Sequence, residues 1–113
     1  VNMNTKRDPL EEVIEKINET YKGDFTEADR VLIGTLREKL LADKKLRKAA
    51  KVDGQQIFEK NVFPKIFDQT AQASYIESTE TYTKLFEDTA KYKAVMVALA
   101  KELYRELRNG QEG

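Results

Sequence analysis

The segment DGQQIFEKNVFPKIFDQTAQASY, residues 53–75, carries the strongest structural signal in the chain. Asp53 followed by Gln56 has the form of a capping box, which predicts a helix that starts at Gly54. Because Pro64 lacks an N–H group and crowds the carbonyl four residues before it, this helix should bend there or restart with Pro64 in its first turn. The apolar residues recur at spacings of three and four, so they predict one buried face, made of Ile57, Phe58, Val62, Phe63, Ile66 and Phe67.

Start signals and apolar stripes predict two helices before this segment. Asp8 before Pro9 opens the first helix, which ends at Gly23. Thr26 with Asp29 opens the second helix through a capping box. The residues predicted to face inward are Leu10, Val13, Ile14, Ile17 and Tyr21 in the first helix and Ala28, Val31, Leu32, Thr35, Leu36 and Leu40 in the second.

Asp43 is predicted to cap a short basic helix, KKLRKAAK, over residues 44–51. Only Leu46, Ala49 and Ala50 can face inward in it, because the remaining residues are lysine or arginine.

Two helices are predicted after the central segment. Residues 74–88 place Tyr75, Thr79, Tyr82, Leu85 and Phe86 in approximate helical register, with a continuation or a restart at Ser78. Asp88 or Thr89 caps the last helix, which Asn109-Gly110 ends and whose stripe comprises Tyr92, Val95, Met96, Leu99, Leu103 and Leu107. The predicted fold is therefore all-α: a compact bundle of about five to six helices in a single domain over residues 8–109, with frayed ends at 1–7 and 110–113.

Charge is unevenly distributed, although the formal net charge is zero. Residues 8–29 contain eight acidic and two basic residues, whereas residues 37–51 contain seven basic and two acidic residues. The molecule should be electrostatically dipolar, and it is not a wholly basic nucleic-acid binder. The chain has no cysteine, which fits a reducing cytosol, and no apolar run of membrane-spanning length. It begins with Val1 and has no signal-peptide pattern, so we expect a cytoplasmic fragment of a longer protein with no membrane partner.

The residue types needed for most catalytic sites are missing. The chain has no histidine and no cysteine, so the commonest general base, thiol nucleophiles and the usual zinc ligands are excluded. No glycine-rich phosphate-binding loop is present. Asp29, Asp43 and Lys45 are the residue types of a metal-dependent nuclease, but helix capping explains both acids. We therefore predict no catalytic residue, no metal site and no cofactor in this domain.

Two groups of residues are candidates for binding a partner. The first lies on the short basic helix, where no acid follows at i+4, and it suits nucleic acid or an acidic protein surface: Lys44, Lys45, Arg47, Lys48 and Lys51. The second lies beside the apolar stripe of the last helix, and its mixture of tyrosine and arginine is typical of interface centres: Lys101, Tyr104, Arg105 and Arg108. The alternatives are an ordinary solvated face for the first group and core packing of Tyr104 for the second.

The central segment also carries a family resemblance. Residues 54–88, GQQIFEKNVFPKIFDQTAQASYIESTETYTKLFED, contain the pattern I-F-x-x-x-x-F-P-x-x-F-x-x-x-A, and residues 29–52, DRVLIGTLREKLLADKKLRKAAKV, precede it. Together they resemble the C-terminal helical domain of the R (motor) subunit of bacterial type I restriction-modification enzymes. The resemblance covers roughly Asp24 to Arg108. It includes no catalytic motif.

The resemblance implies a role in a large DNA-translocating complex. R subunits of this family combine a nuclease domain, two ATP-driven motor domains that require ATP and Mg²⁺, and helical regions that assemble with the methyltransferase and specificity subunits. The family's nuclease and nucleotide-binding motifs match no position here. The resemblance therefore implies a non-catalytic domain that mediates assembly. The alternatives are non-specific duplex DNA contact through the basic helix and a stand-alone helical oligomerisation module.

Overall fold

The computed structural model describes residues 9–23, 25–77 and 87–109, and they form a bundle of helices. The elements are α1 (Pro9–Tyr21), α2 (Glu27–Leu41), α3 (Lys44–Val52), α4 (Gln55–Ile57), a π-helical turn (Phe58–Val62), α5 (Phe63–Glu77) and α6 (Thr89–Asn109). These ranges contain no β-strand, which confirms the predicted all-α bundle. The predictions for residues 1–8 and 110–113, the boundary at Ser78 and the stripe over residues 75–86 lie outside the described part.

The central helix of the bundle is α6. It packs against α1, α2, α3, the π-helical turn and α5. Its alanines at 94, 98 and 100 are buried beside the predicted stripe, and small side chains let neighbouring helices approach closely on more than one side. Val95, Leu99, Leu103 and Leu107 are buried as predicted. Five other elements of the bundle therefore meet at α6.

Of the two outcomes predicted at Pro64, a bend or a restart, the structure shows a new helical segment, α5, which follows a change of hydrogen-bond register. The backbone N–H of Phe63 donates to the carbonyl of Phe58, five residues earlier. The backbone at both residues stays in the right-handed helical region, so the chain does not break. Pro64 is the second residue of α5, so its missing N–H falls at the junction where the hydrogen-bond register changes.

An aromatic cluster joins this helix to α6. Phe58, Phe63 and Phe67 are fully buried. The ring centroids of Phe58 and Phe63 lie 5.9 Å apart, and those of Phe63 and Phe67 lie 5.6 Å apart. Tyr104 lies 5.1 Å from Phe58, and Tyr92 lies 5.3 Å from Phe67. The predicted aromatic face is therefore the core contact between the two halves of the chain.

Two predicted stripes are wrong in part. Ile57 is 50% exposed, because the π-helical turn adds a residue and rotates the side chains before it relative to those after it. In α2, Val31 is 59% exposed and Ala28 is also exposed. Ile33 and Asp29 are buried in their place. The buried face of α2 is therefore rotated relative to the predicted stripe, because this helix packs against α1, α3, α5 and α6.

The helix caps are partly as predicted. Thr26 caps α2 with a complete capping box, and Asp43 caps α3 by accepting the N–H of Leu46. Asp88 caps α6 in the same way. The capping box of Asp53 is wrong: Asp53 closes α3, and its backbone N–H donates to the carbonyl of Ala49. Gly54 is the residue before α4, and no side chain caps it.

The end of α1 differs from prediction. Lys22, not Gly23, adopts the left-handed conformation, with φ of 59°. Gly23 is required for a different reason, since a Cβ there would lie 2.0 Å from a ring carbon of Tyr21. The Tyr21 hydroxyl in turn donates to the Asp88 carboxylate that caps α6. The glycine thus permits a contact that ties the two helices together.

Candidate functional site

The basic surface of α3 is the first candidate site. Leu46 and Ala50 are buried and hold the helix against α2 and α6. All five basic side chains are exposed, and no ion pair within residues 9–23, 25–77 and 87–109 involves any of them. They are Lys44, Lys45, Arg47, Lys48 and Lys51. The surface carries a concentrated positive charge that the rest of the described chain does not neutralise.

A pocket of about 440 Å³ is the second candidate site. Its basic lining residues are Lys16 from α1 and Lys101, Arg105 and Arg108 from α6. Gln55, Tyr104 and Asn109 complete the lining, which includes no acidic side chain. All four residues of the second predicted group therefore lie together. Lys16 was missed, because only the packing of α1 on α6 brings it there.

Arg108 connects the pocket with α3. Its Nη1 atom donates to the backbone carbonyls of Ala50 at 3.2 Å and Lys51 at 3.1 Å. A basic side chain at the last carbonyls of a helix satisfies groups that have no partner within the helix. The guanidinium also lies 5.7 Å from the centroid of the Tyr104 ring. Arg108 therefore stabilises the domain as well as lining the pocket, and Tyr104 packs on Phe58 as the core alternative predicted.

A largely buried ion cluster joins α2 to α6. Arg37 donates from Nη2 to Glu102 at 3.1 Å and also to Glu106. Burial and the neighbouring Glu106 carboxylate raise the pKa of Glu102 from 4.5 to about 7, and Arg37 opposes that rise. The Oε2 atom of Glu102 is buried and has no hydrogen-bond partner among the described residues. Arg37 thus donates to two carboxylates, and protonation of Glu102 removes the charge repulsion between Glu102 and Glu106.

Asp29 and Asp43, which are residue types found in metal-dependent nucleases, both have structural partners. Asp29 accepts a hydrogen bond from Lys91 at 2.6 Å and belongs to the capping box of α2. The Lys91 ammonium lies 4.8 Å from the centroid of the Phe25 ring. Asp43 caps α3, as described above. Within the described ranges, no three potential metal-binding side chains lie together.

Comparison with known proteins found no similar protein. No family model, no curated protein and no solved structure matches this chain. None of the helices in the described part combines the length and the apolar character needed to cross a membrane.

Proposed function

We propose that this chain is the non-catalytic C-terminal domain of a type I restriction enzyme R subunit. In this proposal it acts in the cytoplasm and docks the ATP-dependent, DNA-translocating subunit against the methyltransferase core. The observation that supports the proposal most is the exposed basic surface of α3. Unpaired bases held on a folded helix repel one another, and an acidic protein surface removes that repulsion on binding.

Apolar side chains next to α3 favour a protein partner. Val52, the last residue of the helix, is 73% exposed, and Ile57 is 50% exposed. These are two of the four large exposed apolar side chains in the described chain. A protein surface can bury them together with the charges, whereas a phosphate backbone contacts only the charges. The acidic segment at residues 8–29 also opposes close approach of DNA to that part of the domain.

Removing charge from α3 should weaken assembly without unfolding the domain. The test variant is Lys44→Gln/Lys45→Gln/Lys48→Gln, measured for association with the methyltransferase core by sedimentation velocity. We expect at least about a tenfold loss of affinity, equivalent to about 1.4 kcal/mol. The melting temperature should change little, because exposed charges contribute little to stability.

The matched control is Lys60→Gln/Lys65→Gln/Lys93→Gln. It removes the same charge from exposed positions on the π-helical turn, α5 and α6. Core association of this control should match that of the unmodified domain. Equal losses in both variants would show that only overall charge matters, and an undiminished affinity of the α3 variant would refute the docking role.

The same basic surface makes duplex DNA the second candidate partner. The two variants distinguish it when duplex binding is measured over a range of salt concentrations. If α3 contacts phosphates, its triple variant should lower the slope of log K against log salt by about one for each contact removed. A loss of duplex binding with intact core association would replace the assembly role with DNA contact.

A further inference from the structure

The pocket between α1 and α6 carries positive charge that the described chain leaves unpaired. Lys101, Arg105 and Arg108 lie at positions i, i+4 and i+7, so they share one side of α6. Lys16 reaches the same opening from α1. The ion pairs within the described residues involve none of these four. Their mutual repulsion is therefore relieved only by an anion from outside that part of the chain.

The nearest acids on the same helix are engaged elsewhere. Glu102 and Glu106 lie next to the pocket residues in sequence, and Glu102 is three residues before Arg105. Both carboxylates bind Arg37 of α2. Since Arg37 takes these acids, the basic side of α6 lacks the neighbours that would ordinarily neutralise it.

One cation of the pocket is already fixed in place. The hydrogen bonds of Arg108 to the described chain are made by Nη1, which donates to the end of α3. Its ring contact with Tyr104 further restricts the guanidinium plane. A preoriented guanidinium loses less conformational freedom when it binds a phosphate oxygen than a free arginine does.

We propose that this pocket binds a small ligand through its phosphate groups. Its volume of about 440 Å³ falls within the range of small-molecule sites, roughly 300–1,000 Å³. Two lysines and two arginines match the charge of a diphosphate or triphosphate, and the Asn109 amide adds hydrogen-bonding groups. This inference is independent of the proposed function, because no side chain of α3 lines the pocket.

The test measures binding of two probes, inorganic pyrophosphate and ATP, by isothermal titration calorimetry at constant ionic strength. The pocket variant is Lys101→Gln/Arg105→Gln. Both residues are exposed and have no ion pair in the described chain, so folding should be unaffected. We expect the unmodified protein to bind at least one probe and the variant to bind it at least about tenfold more weakly, as expected for two lost charge-assisted contacts.

Two controls separate a pocket from diffuse attraction. Lys60→Gln/Lys65→Gln removes the same charge from another exposed region and should leave probe affinity unchanged. The α3 triple variant should also bind the probe normally, although its affinity for the methyltransferase core is expected to fall. Absence of probe binding by the unmodified protein, or equal weakening in all three variants, would overturn the proposal.

A competition experiment distinguishes a small phosphate ligand from the phosphates of nucleic acid. A short duplex is titrated in the presence and absence of saturating pyrophosphate. A small-molecule site predicts that the duplex does not displace the probe. Displacement of pyrophosphate by duplex, lost in the pocket variant, would instead assign these cations to nucleic acid and overturn the small-ligand proposal.

Discussion

Phe67→Ala should lower the free energy of unfolding by about 3–5 kcal/mol. Phe67 is fully buried, and its ring packs against Phe63 on the same helix and Tyr92 on α6. Removing the ring leaves a cavity in the contact that joins the two halves of the chain. Urea unfolding monitored by circular dichroism measures the loss, which is a large share of the roughly 5–15 kcal/mol typical of domains.

Ile57→Ala provides the matched control from the same continuous helix. Ile57 is 50% exposed, so its truncation should cost well under about 1 kcal/mol. The contrast tests whether the π-helical turn rotates Ile57 out of the core. If the two alanine variants lost similar stability, the aromatic face would not be the core.

Arg37→Met should destabilise the domain by up to about 3–5 kcal/mol at pH 8, because Glu102 without its cation must either stay charged while largely buried or take up a proton at high pH. The side chains of Arg37 and Glu102 are 13% and 9% exposed. Protonation of Glu102 removes the uncompensated charge, so the loss should be clearly smaller at pH 5. Urea unfolding at both pH values measures the difference.

The Glu102→Gln variant is the control for this effect. The pKa of Glu102 is raised to about 7 in the folded protein, from an ordinary value of 4.5. Between these values the folded state holds a proton that the unfolded state has lost. Stability contributed by this group is therefore fully present below about pH 4.5 and declines as pH rises to about 7, by up to about 1.4 kcal/mol per pH unit. Glu102→Gln should abolish that decline, and an Arg37→Met loss independent of pH would contradict the assignment.

Local signals in the sequence predicted much of the fold. The capping box of Thr26 and the caps of Asp43 and Asp88 involve residues at most three positions apart, so the pattern alone identifies them. The stripe of α6 was equally clear, because its apolar residues recur at spacings of three and four along the helix.

Features that depend on packing could not be read in this way. The burial of Ile33 instead of Val31 follows from the several helices that contact α2. The π-helical turn has no local motif beyond Pro64, which equally permits a kink. Asp53 and Gln56 have the spacing of a capping box, yet the end of α3 uses Asp53 instead.

In the candidate sites, too, local features were predictable from the sequence and features that depend on packing were not. The basic residues of α3 form one run in the sequence, so their common exposure was predictable. The pocket itself was not predicted: four of its lining residues were named as partner-interface candidates, and Lys16 reaches it only through the tertiary contact of α1 with α6. Arg37 and Glu102 are 65 residues apart, and nothing local indicates that they pair. Because Glu102 pairs with Arg37, it does not pair with Arg105, which lies three residues later on the pocket side of α6.

A competition experiment tests whether this domain itself contacts the methyltransferase core. The isolated domain, which has its own buried core, is added in excess to the intact R subunit and the methyltransferase core. Sedimentation velocity then measures how much complex forms. We predict that the unmodified domain reduces the complex in proportion to its concentration and that the Lys44→Gln/Lys45→Gln/Lys48→Gln variant does not. An unchanged amount of complex at the highest concentration of the unmodified domain would show that the domain does not dock on the core.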